Sequence, residues 1–137
     1  TRFVDDDTQD FLTEMTNEIM AMGPYFRAVI DSLDFFMQRE DPSRVVAMLR
    51  MMQAHTQIHR GILFVTVSND TITPAIKQEM AAIADMVCDF KVRTIGSDFE
   101  TSMIVSKFRN APENLSIMVY RVTPEEGITP ETVERIA

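Results

Sequence analysis

Glycine and cysteine are scarce in this chain. Its 137 residues hold four glycines, Gly23, Gly61, Gly96 and Gly127, and none opens a G-x-x-x-x-G-K-[ST] loop. A phosphate cradle of the usual kind needs the amides and the lysine of that loop, so none is written here. The single Cys88 excludes an internal disulfide and fits a reducing cytosol. Apolar runs stay short of the roughly 20 residues that a membrane span requires, and the opening TRFVDDD is no signal peptide. Positive charge is sparse: 13 Lys and Arg stand against 21 Asp and Glu, for a net charge of -8. Such a surface repels phosphate backbones and disfavours general nucleic-acid binding. The segment NDTIT also lacks the cations that a DNA-binding loop would need. No Ser-His-Asp or Cys-His arrangement is legible.

What is present suits one globular domain, residues 1–137, with 45% hydrophobic residues to build a core. The chain starts without an initiator Met, and RFVD reads like the tail of a strand, so we expect part of the domain to precede Thr1. The stretch DDDTQDFLTEMTNEIMAMG predicts a helix capped by Asp7, with Asp10 in its first turn and Gly23 and Pro24 as its stop. Its inward positions are Phe11, Leu12, Met15, Ile19 and Met22. Residues 26–30 read as a buried strand, and SLDFFMQ as a short helical stretch. Asp41 and Pro42 open a longer helix with a stripe of Val45, Met48, Leu49 and Met52, ended by Gly61. GILFVTVS reads as a strand covered on both faces. Thr73 and Pro74 open another helix with Ile76, Met80, Ile83 and Val87 inward.

The pattern then alternates. In MVCDFKV, residues Met86, Cys88, Phe90 and Val92 mark one face, and Asp89, Lys91 and Arg93 the other. TSMIVSKF and LSIMVYRV flank the turn RNAPEN, giving a three-stranded antiparallel meander with one solvated face. TPETVERIA predicts a closing helix capped by Thr129 with Pro130 in its first turn. The expected fold is α/β, a mixed sheet whose parallel core strands are flanked by helices and extended by that meander. Right-handed crossovers make the first two strands parallel, so their carboxyl ends share one edge, where open α/β sheets bind ligands. Asp31 and Ser32 end one strand there; Ser68, Asn69 and Asp70 end the other.

Several residues invite a chemical role. In RAVIDSLDFF a greasy run meets the carboxylate of Asp31. One reading makes Asp31 a cap for the next turn; the other makes it a Walker B acid that holds magnesium opposite nucleotide phosphates. His55 and His59, four apart, have a metal-ligand spacing, but without a third ligand nearby they read as polar residues favoured by a helix C-terminus. Of the 11 methionines, Met48, Met51 and Met52 cluster, and core filling accounts for them better than a binding surface does. Cys88 reads as an inert buried thiol. Lys107 and Arg109 lie two apart, so a strand would aim both to one face. Spacing alone favours a solvated basic edge that blocks strand pairing; the functional reading is a pair of cations for a phosphate.

In order and spacing these segments resemble the second half of a KaiC-like domain of the RecA ATPase superfamily, over nearly the whole chain. RAVIDSLDFF is similar to the family's VVIDSL Walker B segment, and ILFVTVSND to the next core strand. IADMVCDFKV is similar to A-D-x-V-I-x-L, MIVSKFRN to a strand ending in K-x-R-G, and EEGI to a D-x-G-I close. The resemblance implies a RecA-like fold and an ATP- and magnesium-dependent regulatory or signalling ATPase, cytoplasmic and homo-oligomeric. It makes Asp31 the magnesium-side acid, with Ser32 beside it, and Ser68 and Asn69 the sensor strand end. Lys107 and Arg109 become contacts to the γ-phosphate held by a neighbouring subunit of a ring. Asn110 departs from the usual Gly, and APENL from the usual Thr/Ser-His continuation. The Walker A loop and the strand of the catalytic glutamate, which precede this segment in the family, are absent from the chain, so by itself it is expected to be inactive. The alternative is a non-catalytic interaction module on the same sheet that binds no nucleotide.

Overall fold

The computed structural model of the chain describes residues 10–111 and 116–131, in two compact units that divide between Ile83 and Ala84. The first runs α1 (Phe11–Met20), β1 (Arg27–Ile30), α2 (Asp34–Arg39), α3 (Pro42–His59), β2 (Ile62–Val65), a 3-10 turn (Asn69–Thr71) and α4 (Pro74–Ile83). The second is a meander of β3 (Met86–Ile95), β4 (Asp98–Phe108), β5 (Ser116–Thr123) and β6 (Gly127–Glu131).

Local caps start the helices. Asp10, not Asp7, caps α1: its carboxylate accepts from the Thr13 amide at 3.0 Å and the Thr13 hydroxyl at 2.8 Å, and pairs with Arg44 of α3. Asp7 lies outside the described residues. Arg44 also reaches Glu40 at 2.8 Å. The Asp41 carboxylate accepts from the Ser43 amide at 3.0 Å with Pro42 in the first turn of α3, as that Asp-Pro pair predicts. The Thr73 hydroxyl accepts from the Ile76 amide at 3.3 Å and starts α4.

α1 stops at Met20, before Gly23, and α3 ends on Arg60, whose φ of +52° makes it the left-handed cap expected of Gly61. Gly61 has a different task. A Cβ there would lie 2.4 Å from the Phe26 ring, so the missing side chain lets the ring seat against the α3–β2 joint. Val87, expected on α4, belongs to β3.

β1 and β2 are parallel, with Arg27 opposite Ile62 and Ile30 opposite Val65. Ala28, Ile30, Leu63 and Val65 face a core built on Leu12, Leu33, Val45 and Met52. The expectation of strands covered on both faces fails: Val29 and Phe64 are 68% and 63% exposed. Continuous apolar sequence marks both faces as greasy but does not say what covers each. Of the methionine cluster, Met48 and Met52 pack in or against the core while Met51 is exposed.

The meander is antiparallel, with Phe90 opposite Met103 and Met103 opposite Met118. Gly96, at φ +61°, turns β3 into β4. The expected single mixed sheet is instead two sheets among the described residues, one of two parallel strands and one of four antiparallel strands. The meander also has one strand more than expected. Residues 127–131 are the edge strand β6, not the start of a helix; Thr129 lies opposite Arg121, and Pro130 opposite Tyr120. An edge strand tolerates a proline that cannot donate to the ladder, and a cross-strand pair of Arg121 with Glu131 at 2.6 Å adds to the pairing. Residues 132–137 lie outside the described set. No helix among the described residues is long and apolar enough to cross a membrane.

Candidate functional site at the strand ends

The parallel register brings the two strand ends level. Past the last pair, Ile30 with Val65, the Thr66 amide donates to Ile30 O at 3.0 Å and the Leu33 amide to Thr66 O at 2.9 Å. That places Thr66 beside Asp31, and its hydroxyl donates to Asp31 Oδ1 at 2.7 Å. Asp31 is exposed, and the Asp31–Ser32 peptide is cis. Asp31 caps no helix among the described residues. The hydroxyl that accepts from a backbone amide here is Ser32's, from Asp34 N at 3.2 Å.

Asp34 ties the edge together. Its Oδ1 accepts from the Ser68 amide at 2.9 Å and the Thr71 hydroxyl at 2.8 Å. Its Oδ2 accepts from the Ser68 hydroxyl at 2.7 Å and the Ser32 hydroxyl at 2.9 Å. The Ser68 amide, the Ser68 hydroxyl and then the Thr71 hydroxyl lower its pKa to about 2. One carboxylate thus binds the segment after β1 to the segment after β2. Sequence reading passed over both Asp34 and Thr66. Thr66 was recoverable from strand register, being the residue after Val65 as Asp31 is the residue after Ile30. The bonds of Asp34 to Ser68 and Thr71 span more than thirty residues and leave no local signal.

The structure gathers Asp31, Ser32, Thr66 and Ser68 at this edge. Ser68 lies past the end of β2 and leads into the 3-10 turn that begins at Asn69, so both follow the strand rather than end it. Lys107 and Arg109 belong to the second unit. Lys107 is in β4, opposite Val87. Arg109 lies beyond the end of β4, so strand alternation does not put it on one face with Lys107. Its guanidinium pairs with Asp85 at 2.8 Å and its amide donates to Asp85 O at 2.8 Å. His55 is buried. Its Nε2 donates to Met22 O at 2.9 Å, and its ring lies 4.1 Å from that of His59. Burial, then the charge of Asp89, raises the Cys88 pKa, in keeping with an unreactive thiol.

Among the described residues no group of three or more His, Cys, Asp or Glu is placed to hold a metal ion. Asp31 nevertheless fits one half of a magnesium site. It is an exposed hard oxygen donor with one oxygen steadied by a hydroxyl, and magnesium takes one or two carboxylates while phosphates and water fill its other positions. The sequence writes no G-x-x-x-x-G-K-[ST] loop to hold the phosphates of a nucleotide.

Solved structures with a similar fold include a flagellar accessory protein and a KaiC-like protein. The flagellar accessory protein FlaH from Methanocaldococcus jannaschii has a TM-score of 0.67 at 17% identity, covering 94% of this chain and 58% of that one. A KaiC-like protein from Pyrococcus horikoshii has a TM-score of 0.61 at 16% identity, covering 94% and 61%. The chain therefore spans about three fifths of the length of these proteins. The likeness shows a KaiC/RecA-like fold. No match is found among curated proteins. A family model matches residues 1–120, and by that match the chain belongs to DUF7125, a family of unknown function.

Proposed function

We propose that this chain supplies the metal-side edge of a RecA-like nucleotide site in a KaiC-like, cytoplasmic regulatory or signalling protein that works as a homo-oligomer. The observation that carries this reading is Asp31, exposed at the carboxyl end of β1 and held by the Thr66 hydroxyl from the parallel neighbour. A bound magnesium ion would offset charge on phosphate oxygens there. Thr66 orients the acid, and Asp34 fixes Ser68 and the turn starting at Asn69 beside it. Lys107 and Arg109 would serve the γ-phosphate of a neighbouring subunit, for which Arg109 must first leave Asp85.

The test mixes two variants of the natural polypeptide that carries this chain. Lys107→Ala/Arg109→Ala and Asp31→Asn should each lose ATP turnover and recover part of it when mixed, since one interface then holds both intact halves. Folded, assembled variants that show no rescue would remove these cations from the site.

The second reading, an interaction module that binds no nucleotide, draws on the missing glycine-rich loop and on the Arg109–Asp85 pair. Calorimetry with Mg-ATP separates the two. The 137-residue chain should show no saturable heat, and the natural polypeptide should show it only under the first reading.

A further inference from the structure

In the second unit the two sides of the meander differ in chemistry. Past the register shift at Val87/Cys88 the ladder is regular, and residues opposite one another share a side. Phe90 stands opposite Met103, and Met103 opposite Met118. Val92 lines up on the same side with Thr101 and Tyr120, Phe99 with Thr94, and Val122 with Ile128. No Asp, Glu, Lys or Arg of this regular ladder lies on that side. Lys91, Arg93, Glu100 and Arg121 lie on the other, where Arg93 pairs with Glu100 at 2.9 Å and Arg121 with Glu131 at 2.6 Å. On the uncharged side Phe90, Val92, Phe99, Met118, Val122 and Ile128 are between 41% and 76% exposed. These six side chains expose on the order of 700 Å², above the roughly 300–600 Å² of the largest apolar patch on an ordinary monomer and close to the about 800 Å² that each partner gives to a stable interface.

We propose that this face packs on the same face of a second copy, joining the two meanders as an isologous sandwich of sheets. Area is the first argument, since the exposed patch matches what one partner of a stable pair buries. Charge is the second. Two copies that each carry a net charge of -8 repel, and the contact that costs least is one whose facing sides hold no carboxylate. Shape is the third. A copy brings a sheet of equal length and twist, so apolar side chains meet apolar side chains while the ladder of each sheet stays intact. The contact uses none of Asp31, Lys107 and Arg109, and so stands apart from the nucleotide reading.

The experiment is sedimentation of the natural polypeptide, free of nucleotide, at rising concentration. The wild type should pass from monomer to dimer, and the association should hold or tighten as salt is raised, because no charge is screened at the contact. Val92→Glu/Val122→Glu sets like charges into the contact and should weaken it by about tenfold or more. Val92→Thr/Val122→Thr keeps the β-branched side chains that suit strands, and should weaken it by a smaller factor with an unchanged circular dichroism spectrum. Lys91→Gln on the opposite side should leave the association as it is, and so should Lys107→Ala/Arg109→Ala. The proposal is overturned by a folded monomer at every concentration, by a dimer that both Val92/Val122 variants leave intact, or by a dimer that salt disperses. A monomer whose Phe90 and Val92 amides resist exchange overturns it as well, since another part of the same polypeptide would then cover the face.

Discussion

Asp34 carries more of the candidate site's geometry than the acid next to the strand. Its pKa of about 2 is held down by the Ser68 amide first, then by the Ser68 and Thr71 hydroxyls. An unfolded aspartate titrates near about 3.9. The folded value is the lower one, so the contribution is in place above about pH 4 and is lost as pH falls toward 2. Asp34→Asn should therefore lower the melting temperature at pH 7 and flatten its fall between about pH 4 and 2. A variant whose acid limb matches the wild type would show that these bonds do not form in solution. At Gly61 the expectation is packing strain. Gly61→Ala should cost about 1–3 kcal/mol, because the new methyl meets the Phe26 ring. Phe26→Leu in the same chain should recover part of that loss, which chemical denaturation of the four variants would measure. At Thr66, Thr66→Val removes the hydroxyl that steadies Asp31, and should weaken any magnesium-dependent activity of the natural polypeptide by about 10–100-fold. The place of Asp31 at a strand end was legible because a charge ending an apolar run stands out. Thr66 needs the register of the two strands to be found, and Asp34 leaves little signal because its bonds to Ser68 and Thr71 join segments distant in sequence.

At the scale of elements, helices were read better than strands. Asp41-Pro42 and Thr73-Pro74 signal helix starts through local capping chemistry, and the structure uses both. Thr129-Pro130 carries the same signal, yet it lies in edge strand β6 because pairing with β5 outweighs a local cap. Strand lengths also depend on partners. β2 stops at Val65 although the apolar and β-branched run continues through Val67, since the chain there turns toward the bonds with Leu33 and Asp34. Leu33 sits fully buried between the two acids. Leu33→Ala should cost about 2–5 kcal/mol and loosen the strand-end edge along with the core. Unfolding in urea gives the first number, and amide exchange at Ser68 and Thr71 reports the second. Unchanged exchange there would mean that the edge is held by its polar bonds alone.

For the whole molecule, a KaiC/RecA-like fold was legible from the order of segments, each weak when taken singly, while the division into two sheets was not. Alternation in MVCDFKV predicts one covered face, yet Phe90 and Val92 on that face are 62% and 66% exposed and a register shift between Val87 and Cys88 interrupts it; nor does alternation say that the parallel pair and the meander form separate ladders. The central claim is that Asp31 is the metal-side acid of a nucleotide site, and not one more surface carboxylate on a chain of net charge -8. The direct measurement is magnesium-dependent ATP hydrolysis by the natural polypeptide, wild type beside Asp31→Asn, with a thermal melt of each. The account predicts turnover lost in the variant and a melting temperature within a few degrees of wild type, because an exposed carboxylate supports little of the core. Equal turnover by the two proteins would contradict it.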